Sequence, residues 1–236
     1  MIPIHDDNPT EITPYVTIGL IAACVLVFLW QLSLGDAVQQ AVYAFGVVPA
    51  VLFDLAELPP QLAVVPPWTT IFTSMFMHGG WMHLLGNMLY LWIFGNNVED
   101  AMGHARFIVF YLLCGVAAVF AQALPDPDST IPMIGASGAI SGVLGAYLLL
   151  YPHARVIVVI PIGFYMHPMA MPAGWVLVFW FVFQAIGSLA AAGQEGGGVA
   201  FGAHIGGFIA GMLLIPFFKY RHVKLFAPAR PRDEGV

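Results

Sequence analysis

Six long apolar runs, separated by segments that hold nearly all of the charge, constrain this chain more than any other feature. They lie at Tyr15 to Leu34, Trp81 to Phe94, Phe107 to Leu124, Ser137 to Tyr151, Trp175 to Ala192 and Val199 to Phe218. A helix needs roughly 20 mainly apolar residues to cross about 30 Å of hydrocarbon. Only 8% of the 236 residues are charged and 60% are hydrophobic, against roughly 25% charged for a soluble domain. Backbone polar groups in lipid must be satisfied within their own segment, which leaves helices for runs of this kind. The expected fold is an all-α polytopic membrane protein. Six transmembrane helices occupy residues 15–218, flanked by a cytoplasmic N-terminal segment 1–14 and a basic cytoplasmic tail 219–236.

The basic residues test that count independently, because Lys and Arg concentrate in short cytoplasmic loops. Arg106 lies between spans 2 and 3, Arg155 between spans 4 and 5, and Lys219, Arg221, Lys224, Arg230 and Arg232 follow span 6. With six spans they share one face, so both termini are expected in the cytoplasm and the chain in a prokaryotic cell (inner) membrane. The first run lacks the basic flank and cleavage site of a signal peptide and reads as a retained span. Cys24 and Cys114 fall inside spans, which argues against a structural disulfide. A net charge of −6 points to no nucleic-acid partner; the basic tail suits anionic lipid at the inner leaflet. No nucleotide, phosphate-loop or zinc motif occurs, and no cofactor is expected.

Roughly 45 residues between spans 1 and 2 carry no Lys or Arg but include Phe45, Val47, Val48, Leu52, Phe53, Trp68, Ile71, Phe72 and Phe76. So apolar a loop is expected to lie in the outer interface with Trp68 at headgroup level. The glycine-rich link 190–200 reads as a flexible connector, or as a lid over what lies beneath it.

Polar side chains inside spans are expensive, and each is a functional hypothesis. Spans 2, 4 and 6 all enter from the outer face. His83 and Asn87, Ser137, and His204 are therefore at similar depth, with His83 and Asn87 one turn apart on one helix face. Small residues at Gly138, Gly142 and Gly145 on span 4, and at Ala203, Gly207 and Gly211 on span 6, allow close helix approach. That approach would bring the Ser137 hydroxyl within hydrogen-bond reach of the His204 imidazole. Span 4 is also short, about 22 Å at 1.5 Å per residue, so its start is recessed and must meet water. Its free amides, with His83 and Asn87, are the parts of an oxyanion hole. His78, His104, His153 and His167 read as structural or ordinary, and Glu99 and Asp100 as pinning the start of span 3.

At these residues the sequence resembles the rhomboid intramembrane serine proteases, from about Phe45 to Phe218. "GASG" at 135–138 is similar to the family's GxSG motif, "HGGWMHLLGN" at 78–87 to its span-2 pattern, and "AHIGGFIAG" at 203–211 to the segment carrying its catalytic histidine. The resemblance implies a six-helix rhomboid-like bundle with an interfacial loop between helices 1 and 2. It implies Ser137 as nucleophile, His204 as general base, and His83 and Asn87 as oxyanion donors, helped by the Ser137 amide. It also implies transmembrane-helix substrates, cut near the outer face beside a small side chain. Two positions depart from the pattern: Thr69 follows Trp68 where Arg is familiar, and Ser141 replaces an aromatic that stacks on the histidine. A relative that binds transmembrane helices without cutting them, and a small transporter, are the competing readings.

Overall fold

The computed structural model describes residues 2–162, 165–191 and 200–227. Most of the 190–200 link, together with Arg230 and Arg232, lies outside the described residues. The long apolar runs form helices α1 (Tyr15–Ser33), α7 (His104–Ala123), α9 (Ala173–Ala191) and α10 (Phe201–Phe218). Among the described residues these four are long and apolar enough to cross a membrane, and α8 (Ser137–Leu150) is a shorter apolar helix. The second run is segmented: α5 (Trp81–Tyr90) passes through a π-helical turn at Leu91–Gly95 into α6 (Asn96–Met102). The result is a polytopic helical bundle.

α8 is the central element. It is buried without interruption from Gly138 to Tyr147, as a helix that is apolar all round should be. α9 is its opposite: Trp175, Phe179, Phe183 and Leu189 are all exposed on it. Large apolar side chains turned outward over a whole helix suit lipid and not water. Between α1 and α5 the chain forms α2 (Val38–Phe45), α3 (Pro49–Leu52), α4 (Thr70–Thr73) and short 3-10 turns. Val47 and Val48 are buried, Val47 against Ile71, Met75 and Val119, while Trp68 is exposed. The loop is tied to the segment before α8 by the pair Val47 and Met133 and by Gly135 N–H donating to Ser74 O at 2.9 Å.

At the end of the bundle away from Ser137 the chain makes a three-stranded antiparallel sheet in the order β1 (Ile2–Asp6), β2 (Arg155–Ile162), β3 (Tyr165–Pro172). From sequence alone these segments read only as links. The β-branched run "RVIVVI" explains β2, because such side chains pack well on a pleated surface. Tyr147 donates to buried Asp6 at 2.6 Å, and the Ala227 N–H donates to Leu150 O at 2.9 Å. The N-terminal strand, the hairpin and the C-terminal segment therefore gather at one end. Arg155 lies there on β2, and Arg106 packs over the Tyr220 ring at 5.2 Å.

Glu99 touches the start of span 3 as its place in the sequence implies, but it and Asp100 also hold the first turn of α1 and the segment just before it. Asp100 accepts the Glu11 and Ile12 amides at 3.1 and 3.0 Å. Fully buried Glu99 accepts the Val16 and Thr17 amides at 2.9 and 2.8 Å and the Thr17 hydroxyl at 2.7 Å. It also pairs with His104, which opens α7. One carboxylate thus satisfies the first-turn donors of α1 and touches α7. The Glu99→Ala variant should lose about 2–4 kcal/mol, because it leaves several buried donors unpaired. A lowered thermal unfolding midpoint in detergent reads this out; an unchanged midpoint would mean that the cap contributes nothing.

Candidate active site

Ser137 is the first residue of α8, and the turn before it explains the glycine at 135. Gly135 has φ +129°, and a Cβ there would lie 2.7 Å from His83 Nε2. Only a residue without a side chain accommodates both conditions. Gly138 and Gly142 then meet α10: a Cβ on Gly207 would strike the Gly138 carbonyl oxygen, and one on Gly211 the Gly142 carbonyl oxygen. Backbone touches backbone at successive turns, the tight pairing that small residues allow in membranes.

That contact sets the central distance. Ser137 Oγ lies 2.8 Å from His204 Nε2. His204 is 9% exposed and Ser137 half-buried, so the pair is largely shielded yet reachable. The start of α10 is held from α7, where Gln122 Oε1 accepts the Ala203 amide at 3.2 Å. The expected approach of Ser137 and His204 from different spans is present in the fold.

His83 and Asn87 lie one turn apart on α5. The Gly79 amide donates to His83 Nδ1 at 3.2 Å, so Nδ1 is the unprotonated nitrogen of the neutral ring and Nε2 carries the hydrogen. Nε2 is the atom against Gly135, two residues before Ser137. Asn87 is buried, and among the described residues its Nδ2 has no hydrogen-bond acceptor. A buried amide donor without a partner costs free energy unless a ligand uses it. The N-terminal turn of α8 likewise has no side-chain cap. His83 Nε2 and Ser137 Oγ thus both face the Gly135 turn, and the uncapped start of α8 offers backbone donors of the kind that stabilisation of a developing oxyanion needs.

His78 belongs to the frame. Its backbone N–H donates to Gln31 Oε1 at 2.9 Å, its carbonyl accepts from Gln31 Nε2 at 3.1 Å, and its ring packs edge-on to His83 at 5.1 Å. Ser141 turns back on its own helix, donating to the Ser137 carbonyl at 2.6 Å. The aromatic beside His204 comes instead from α9: Trp180 lies 5.9 Å away, tilted 38°. One turn further along α9, Gln184 Oε1 is 2.7 Å from His204 Nδ1. Neither α9 residue was singled out from the sequence. The rule that picks out polar residues within spans applies equally to Gln184, and would have found it.

Comparison with known proteins matches residues 66–221 to the Rhomboid domain. Rhomboid protein 1, mitochondrial, of Saccharomyces cerevisiae is 30% identical over 192 residues, 74% of this chain and 52% of that protein. Rhomboid protease GluP of Bacillus subtilis is 34% identical over 136 residues, 57% of this chain and 24% of that protein. The human presenilin-associated rhomboid-like protein, mitochondrial, is 28% identical over 144 residues, 60% of this chain and 34% of that protein. The matches span about half of the yeast protein and a quarter of the Bacillus one.

Proposed function

The chain belongs to the rhomboid family, a multi-pass membrane protein with proteases among its relatives, and we propose that it is itself an intramembrane serine endopeptidase. The observation that carries this is the 2.8 Å contact between Ser137 Oγ and His204 Nε2 at the start of the short, buried helix α8. In the proposed mechanism the Ser137 oxygen attacks a peptide carbonyl while His204 Nε2 takes the hydroxyl proton. The carbonyl oxygen becomes an oxyanion, received by the His83 Nε2–H, the Asn87 Nδ2–H and the Ser137 amide. His204 then gives its proton to the leaving amine, and an acyl-enzyme remains. Water, activated by the same imidazole, hydrolyses the ester and frees the serine.

The substrate is a transmembrane helix. Its carbonyls are bonded within the helix, so the segment entering the site must unwind, which favours helix-destabilising residues near the cut. The basic residues at the far end of the bundle support a six-span arrangement of 15–218 with residues 1–14 and 219–236 in the cytoplasm. Cleavage then falls near the outer face.

Purified protein reconstituted in liposomes with a single-span substrate tests this reading. Cleavage in the half of the substrate helix level with Ser137 is expected; intact substrate together with no reaction toward a serine-directed fluorophosphonate would overturn it. His83→Ala and Asn87→Ala should each lower kcat by roughly 10²- to 10³-fold, the usual effect of one lost oxyanion donor. Steady-state kinetics checks this, and an unchanged kcat in either variant would remove that residue from the oxyanion site.

A further inference from the structure

We propose that Gln184, on α9, is a positioning residue that selects the tautomer of His204 and so makes it a base toward Ser137. This rests on the protease reading above. Gln184 Oε1 lies 2.7 Å from His204 Nδ1, and an amide oxygen can only accept. The proton of the neutral imidazole is therefore on Nδ1, which leaves the lone pair of Nε2 facing Ser137 Oγ at 2.8 Å. With the other tautomer, Nε2–H would point at the hydroxyl and no base would be present.

A buried carboxylate commonly fixes a catalytic histidine in this way. No Asp or Glu occurs in α8, α9 or α10. Gln184 supplies the same acceptor without a charge, whose burial in the membrane would be costly. Trp180, on the same face of α9, lies against the imidazole, and the Phe181 and Phe208 rings pack at 4.7 Å between α9 and α10. The base and its orienting group therefore sit on different helices, and His204 is oriented only while these two are packed together.

Two variants separate hydrogen bonding from packing. Gln184→Met keeps the length and volume of the side chain but removes the acceptor; Gln184→Glu keeps the acceptor. The rate of Ser137 labelling by a fluorophosphonate, and kcat and KM on a single-span substrate, are measured for both beside wild type. Gln184→Met should lower the labelling rate and kcat by about 10- to 100-fold, a fraction of the general-base contribution, with KM within about twofold. Gln184→Glu should restore most of that loss. Wild-type rates in Gln184→Met, or equal impairment of both variants, would overturn the positioning role and leave the protease reading standing. Failure of wild type to label would sink that reading and this inference together.

Discussion

Replacing either Ser137 or His204 with Ala is expected to abolish cleavage of a single-span substrate, with kcat falling on the order of 10⁴- to 10⁶-fold. The two groups act as one unit: without the imidazole the hydroxyl has no proton acceptor, and without the hydroxyl the imidazole has nothing to activate. The double variant should therefore be no worse than either single one, the non-additivity typical of a nucleophile and its base. Their 2.8 Å separation is set by backbone contact between α8 and α10, so Ser137→Ala should retain the fold and still bind substrate helices. Substantial cleavage by either single variant would remove that residue from the reaction.

The second large effect lies in that backbone contact. A side chain at Gly207 would run into the Gly138 carbonyl, next to the nucleophile, and Gly211 and Gly145 meet the opposite helix in the same way. Gly207→Leu should force α8 and α10 apart, at a cost of about 2–5 kcal/mol from overpacking and lost helix contact. Because the Ser137–His204 distance depends on the same approach, fluorophosphonate labelling should be lost as well. Gly19→Leu is the matched control: Gly19 is exposed on α1, and nothing lies within 4 Å of a Cβ built there. It should leave both the unfolding midpoint and labelling unchanged. Labelling at the wild-type rate by Gly207→Leu would show that close approach of α8 and α10 is not what aligns the pair.

The helical bundle was legible because lipid leaves a chain few options, and an apolar run of spanning length announces itself. The meeting of Ser137 with His204 followed from depth: residues a similar distance into spans that enter from one face lie level, and small-residue rows brought the two helices together. What escaped depends on partners distant in sequence. The strand Arg155–Ile162 pairs with Ile2–Asp6, more than 140 positions away, and an apolar run of eight residues reads alike as strand or as buried helix. Glu99 looks like a local cap because His104 is near in sequence, yet most of its bonds go to Val16 and Thr17. The position four residues after the nucleophile holds Ser141, which suggested that His204 lacks a stacked aromatic. Trp180 reaches it from α9 instead, an exchange between helices that spacing along one helix does not reveal.

The central claim is that Ser137 is a nucleophile activated by His204, and the most direct measurement is covalent labelling with a fluorophosphonate, with the adduct located by mass spectrometry. A single adduct on Ser137 in wild type, absent from Ser137→Ala and His204→Ala, is the result the account predicts. An unlabelled wild type, an adduct on another residue, or one that persists without His204 would contradict it.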